Sequence, residues 1–243
     1  AFSPCSDWLL VSDAGQGAIC VWSTGRSGPP QASEPPAHVL HQVLKQGSRP
    51  RQCKFAEDGE SVFVAHERSN KVTLHSFNAA TGELSESREW LFSLNGRRGW
   101  RLQMLAELVV LPMVNILAVT NRAIGMGTLA SGIAEKRGWS ECAVGIARLL
   151  GSCWNGRDST VALFRLDTLE PVGFLEAGKA EGVGDARHAL ALPRRLGGGL
   201  LCGLVESGKV LHFEATYNRR GLQLAASADA VAPLCLAVLP PST

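Results

Sequence analysis

Apolar and polar positions alternate along this chain in short runs, and the runs recur in a fixed order. The unit is a short apolar strand, a turn, a second apolar strand ending in Val-x-Asp or Val-x-Asn, a polar turn, and a third alternating strand. It occurs as AFSPCSDWLLVSDAGQGAICVW from Ala1 and as CKFAEDGESVFVAHERSNKVTLHSF from Cys53. A looser copy, LVVLPMVNILAVTNRA from Leu108, resumes after an interruption as DSTVALFRLD from Asp158, and ALALPRRLGGGLLCGLVESGKVLHFEA from Ala189 is a fourth. Phe2, Phe55, Val110 and Leu190 hold equivalent places roughly 50 residues apart once the interruption is discounted, a period that belongs to stacked blades rather than to an ordinary sandwich. The pattern predicts an all-β chain, a β-propeller or part of one, with about four to five blades.

Two segments stand outside this pattern. Residues 23–36, STGRSGPPQASEPP, are rich in Gly, Pro and Ser and read as a long rim loop. Residues 125–157 separate Asn121 and Arg122 from the strand Thr160 to Leu166, which the other copies join by a few residues. Within them Trp139, Cys142, Ala143, Ile146, Leu149 and Leu150 follow helical spacing, although Gly138 and Gly145 weaken a helix. An inserted surface helix is the plain reading. A lid over the central channel and retained non-coding sequence are the alternatives.

Composition sets limits on partners. The 243 residues are 45% hydrophobic, enough for the core of a single domain over 1–243, and the formal net charge is only +2. Arg97, Arg98 and Arg101 read as a solvated loop, so no nucleic-acid footprint is expected. The longest apolar stretch, Leu105 to Val119, is interrupted by Glu107, Pro112 and Asn115 and reads as two strands and a turn, not a membrane span. Seven cysteines, an odd number without a C-x-x-C pair, fit small buried hydrophobes in a reducing, cytoplasmic compartment better than disulfides or zinc. The sequence calls for no metal and no cofactor. It begins without Met inside a first strand, so further chain is expected upstream.

Tryptophan-aspartate repeats are one propeller family to weigh, because Ile19-Cys20-Val21-Trp22 resembles the end of such a repeat. Yet no Gly-His dipeptide occurs, and Ser23 stands where Asp belongs. A second family matches over nearly the whole chain apart from the insertion. Arg49 to Glu86, RPRQCKFAEDGESVFVAHERSNKVTLHSFNAATGELSE, carries a Pro-Arg strand, an Asp-Gly turn and an Ala-Thr-Gly-x-Leu hairpin; LAELVVLP from Leu105 precedes VTNRA. GDARHALALP from Gly184 repeats the Pro-Arg strand with Ala186 in place of Pro, and VAPLCLAVLP closes the chain, with Val231 and Ala232 departing from a Pro-x-Pro-x-Cys pattern. In these motifs the chain resembles the seven-bladed lactonase propellers, the family of bacterial-type 6-phosphogluconolactonase and the carboxy-cis,cis-muconate lactonizing enzyme.

Opening a lactone needs a base to activate water, a donor or cation for the developing oxyanion, and positive charge to hold an anionic substrate. Arg51 and Glu67 suit that chemistry, because a hairpin folds the end of one strand back to the start of its neighbour. From residue types alone, an ion pair on the rim of an inert repeat is the plainer reading of the two. The resemblance implies the opposite: Glu67 as general base or acid, Arg51 as oxyanion partner and Arg187 as a bidentate anion clamp. His66 and His188 alternate with these positions and are expected to be structural. Asp13 and Glu107 are read as turn-stabilising. Muconate-type members carry a catalytic His that here would lie upstream of Ala1.

The resemblance therefore implies hydrolysis of 6-phospho-D-glucono-1,5-lactone in the pentose phosphate pathway, or a muconate-type lactonizing reaction. Its competitor is a degenerate, non-catalytic propeller serving as a binding or scaffold module. Calcium-dependent gluconolactonase propellers need clustered carboxylate and Asn ligands, which have no counterpart here. A small anionic lactone is the expected ligand, with neither membrane nor nucleic acid as partner. Four repeats and a partial fifth do not close a seven-bladed ring, so the chain alone is expected to expose strand edges and to be inactive.

Overall fold

A computed structural model of the chain describes residues 1–25, 38–47, 49–67, 69, 71–85, 88–90, 105–121, 160–175, 186–194, 198–204, 207–216, 222–230 and 236. These fold into four antiparallel sheets in chain order. In the first, Phe2 bridges to Leu9 beside β1 (Trp8–Asp13), β2 (Ala18–Ser23) and β3 (Val39–Lys45). The second runs through β4 (Pro50–Phe55), β5 (Ser61–His66) and β6 (Lys71–Asn78), whose far side pairs with both β7 (Glu83–Leu84) and β8 (Arg88–Trp90). The third comprises β9 (Leu105–Leu111), β10 (Ile116–Asn121), β11 (Thr160–Arg165) and β12 (Pro171–Leu175); the fourth, β13 (Ala186–Ala191), β14 (Leu200–Leu204), β15 (Lys209–Ala215) and β16 (Leu222–Asp229). First strands lie beside one another in the order β4, β9, β13. The sheets are propeller blades.

The second strands of the second and third blades are the most apolar because both of their faces are covered. Along β5, Val62 and Val64 pack toward the first blade, while Phe63 and Ala65 pack toward the third. Along β10 the same alternation sends Leu117 and Val119 to the second blade and Ile116 and Ala118 to the fourth. A period of two with both faces apolar gives the unbroken runs SVFVA and ILAV seen in the sequence. The core is thus three slabs, one between each pair of successive blades. On the first blade the opposite face leaves Val11 and Val43 exposed.

Turn chemistry follows the sequence closely. Asp58 Oδ1 accepts the N–H groups of Glu60 and Ser61, each at 2.9 Å, which closes the Asp-Gly turn between β4 and β5. The Leu105 to Val119 stretch is two strands around a 3₁₀ turn, Pro112–Val114, capped by Asn115 in the left-handed region. Each blade also has a fourth strand that the repeat phrase did not contain. These outer strands, such as β3 and β16, are largely exposed, so no apolar alternation marks them. Counted from the first-strand irregularities described below, the equivalent of Phe55 in the last blade is Ala191 rather than Leu190.

Asn121 and Thr160 are direct partners, so residues 122–159 leave and return at one point between β10 and β11. The expected helix at 125–157 lies outside the described residues, as do most of the rim loop at 23–36 and most of the C-terminal segment.

Blades one and two are also fastened at their periphery. The Gln42 amide on β3 donates to Leu84 O at 2.9 Å and accepts from Leu84 N at 2.8 Å, standing in for one more ladder residue. Trp8 Nε1 donates to Ala79 O at 2.8 Å, laying the indole over Gly82, whose φ is +75°. A Cβ at Gly82 collides with that ring, whereas Gly47, at φ +64°, faces open space. Gly82→Ala is expected to cost about 3 kcal/mol or more, combining left-handed strain with overpacking. Gly47→Ala should cost only the strain, about 1 kcal/mol. Urea melts of the two variants check the difference.

Candidate functional site

The register of β4 against β5 creates the site. Pro50 pairs with His66 and Gln52 with Ala65, so Arg51 is an extra residue, a β-bulge. A bulge bends its strand and re-aims the extra side chain, a device frequent beside active sites. Beyond Pro50 the ladder continues for one more bond: Glu67 N–H donates to Arg49 O at 3.0 Å, placing the two residues opposite each other. Glu67 Oε2 lies 3.3 Å from Arg49 Nε and 3.8 Å from Arg51 Nη1. The carboxylate is only 3% exposed, while the two arginine side chains are 43% and 42% exposed. A buried carboxylate therefore sits beneath two guanidinium groups that reach solvent. Ser12 Oγ on the first blade donates to Arg51 O at 2.9 Å and ties the bulge to the neighbouring sheet.

The same irregularity recurs two blades on. In β13 and β14, Ala186 pairs with Leu204 and His188 with Gly203, so Arg187 is the extra residue there. Arg51 and Arg187 thus occupy one structural position in different blades. The Arg187 side chain lies outside what is described. On β9, Ala106 and Glu107 together face Thr120 of β10, the corresponding break in the third blade.

Glu107 corrects an expectation. It does not stabilise a turn but stands within β9, where its N–H donates to Thr120 Oγ1 at 2.9 Å and its Oε2 accepts from Gln52 Nε2 at 2.5 Å. Burial pushes its carboxyl above the usual carboxylate range, opposed by the Gln52 hydrogen bond and by the charges of Arg51 and Lys54. Asp13 does hold its turn, accepting from Gln16 N at 2.8 Å. Sequence reasoning passed over Arg49 and Gln52. Arg49 was legible in principle, since Arg-Pro-Arg puts two guanidinium groups at period two, on one side of the strand.

Both flanking histidines are structural. His66 is fully buried and its Nε2 meets Thr73 Oγ1 at 2.8 Å; the same hydroxyl meets His75 Nε2 at 3.0 Å, and His75 Nδ1 donates to Ser85 O at 2.8 Å. Because a carbonyl only accepts, neutral His75 carries its proton on Nδ1, Thr73 donates to its Nε2, and His66 donates to Thr73. This row of hydrogen bonds crosses the second blade. His188 accepts from Leu236 N through Nδ1 at 2.9 Å. The thiols are free at Cys5, Cys20, Cys53 and Cys202; Cys53 and Cys202 are buried as expected, but Cys5 is exposed.

Propeller blades with an arginine–carboxylate cluster at the inner strands place the chain among propellers whose first strands carry a polar site. More narrowly, the family Lactonase, 7-bladed beta-propeller matches residues 1–168, and the chain belongs to it. Similar solved structures include candidate 6-phosphogluconolactonases of Bacteroides uniformis (16% identity, TM-score 0.66, 97% of this chain and 55% of that one) and Bacteroides fragilis (18%, 0.66, 97% and 55%). Another is a periplasmic gluconolactonase of Pseudomonas aeruginosa (20%, 0.62, 96% and 53%). At these identities the likeness establishes the fold. The chain spans about half the length of each. No curated protein matches.

Two predictions follow from this geometry. Removing both Arg49 and Arg51 strips buried Glu67 of the two guanidinium groups described against it, so the double Ala variant should lose more stability than the two single variants combined, by about 1–2 kcal/mol of coupling. A double-mutant cycle in urea measures it. Burial lowers the pKa of His75 below its ordinary 6.5, so the unfolded chain binds the extra proton more readily. Stability from this group is full above pH 6.5 and should fall as pH drops from there through the folded-state value. His75→Gln should flatten that part of the pH–stability curve.

Proposed function

We propose that this chain forms part of a hydrolase that opens an anionic sugar lactone, with 6-phospho-D-glucono-1,5-lactone as the substrate. The observation that carries the reading is Glu67, buried against Arg49 and Arg51 where a bulge points a guanidinium group away from the ladder. A carboxylate so placed suits abstraction of a proton from water, and Arg51 suits the oxyanion that then develops on the carbonyl oxygen. Arg49 holds Glu67 in place. Arg187, at the matching bulge, suits the substrate phosphate. Membership of the lactonase family supports the reaction class; the substrate rests on the two candidate 6-phosphogluconolactonases. Buried free thiols at Cys53 and Cys202 support a cytoplasmic setting. Among the described residues no helix is long and apolar enough to cross a membrane.

A second reading, a non-catalytic binding module, is favoured by Ala186, which stands beside the Arg187 bulge where the family's Pro-Arg strand has Pro. Side-by-side assays with 6-phosphogluconolactone and a carboxymuconolactone separate the readings and the substrates. In the full-length protein Glu67→Gln should lower kcat roughly 100-fold or more, and Arg187→Ala should act mainly on KM. Undiminished turnover in Glu67→Gln would sink the site assignment. Absence of turnover together with retained lactone binding would favour the module.

A further inference from the structure

Glu107 stands on the neighbouring blade, hydrogen-bonded to Gln52, the residue that follows Arg51 in β4, and in a different electrostatic setting from Glu67. Gln52 fixes its geometry. Leu108 N–H is a donor, so the Gln52 atom it meets must be Oε1, and the Gln52 Nε2 beside Glu107 therefore donates to Oε2. That contact uses Glu107 Oε2 as an acceptor, which leaves Oε1 as the oxygen able to hold a proton. No described residue is bonded to Oε1. The backbone beneath is pinned by the bond from Glu107 N–H to Thr120 Oγ1. Gln52 follows the irregular residue of β4 and Glu107 belongs to the irregular pair of β9, so the clasp joins the irregularities of adjacent first strands.

The two carboxyls divide the charge environment between them. Glu67 is in contact with two guanidinium groups. Among the described residues, the Glu107 carboxyl bonds to a neutral amide alone, with the charges of Arg51 and Lys54 of β4 also acting on it. Arg51 is common to both. Two carboxyls around one arginine, one tightly paired with cations and one not, are the arrangement that assigns opposite proton states.

We propose that Glu107 is the proton donor of the lactone site, its Oε1 protonating the ring oxygen as it leaves, with Glu67 as the base on the other side of Arg51. This rests on the lactonase reading above. Water oxygen bonds to the acyl carbon as one of its protons passes to Glu67. The bond between acyl carbon and ring oxygen then breaks, and the electron pair left on that oxygen takes the proton from Glu107. The product is the open hydroxy acid. The proton on Glu67 returns through solvent to Glu107, and the product carboxyl ionises with release of one proton.

Glu107→Gln tests the role against a merely structural one. Its amide oxygen still accepts from Gln52, so the clasp and the thermal melt should be retained, but it has no proton to give. The expected result is a kcat lower by roughly 100-fold, KM within twofold of wild type, and loss of the alkaline limb of the kcat profile, which reports the essential acid. Turnover abolished by Glu67→Gln but untouched by Glu107→Gln, with the alkaline limb intact, overturns this proposal alone. Absence of lactone turnover in the folded full-length protein overturns it together with the lactonase reading. If Glu107→Gln does not fold, a ¹³C carboxyl titration of the wild-type chain decides: Glu107 must titrate at higher pH than Glu67, and the reverse order overturns the assignment.

Discussion

Every blade of this chain has two apolar faces and can bury neither without a neighbour. That constraint organises the rest. It explains why the second strands β5 and β10 are apolar at successive positions, one set of side chains for each adjoining blade. It also explains why the core is three separate slabs rather than one centre. Burial of this kind is worth about 25 cal/mol per Å² of apolar surface, so the register between blades is fixed by the same contacts that stabilise them. Once the faces are stacked, the first strands β4, β9 and β13 lie side by side.

The bulges convert that adjacency into a site. A regular strand would leave Arg51 in strict alternation with its neighbours. The extra residue frees it from the ladder while Arg49, one bond further along, stays opposite Glu67. The arrangement is costly to build, because a carboxylate at 3% exposure has lost its water. Two guanidinium groups that keep nearly half of their surface in solvent offset the loss. In the proposed reaction these are also the groups that a substrate anion meets first. The row from His66 through Thr73 and His75 to Ser85 gives its buried side chains hydrogen-bond partners and ties the end of β5 to β6.

The local alternation of SVFVA, the Asp-Gly turn at Asp58 and the interruption of the apolar stretch by Pro112 and Asn115 were enough to give blades, strands and the family resemblance, because period and turn chemistry are properties of adjacent residues. The pairing of Arg51 with Glu67 was legible for the same reason: a hairpin brings its own ends together. The exposed fourth strands left no trace, since a strand with little buried surface has no apolar period. Glu107 looked like a turn residue because its partner, Gln52, is on another blade. Nothing near either residue in the sequence announces that contact. What the sequence determined by itself was the repeat and the chemistry within each hairpin; the tertiary structure decided which bulges recur at one level, that Arg49 joins the carboxylate, and that a second carboxyl shares Arg51, because those depend on how separate sheets stack face to face.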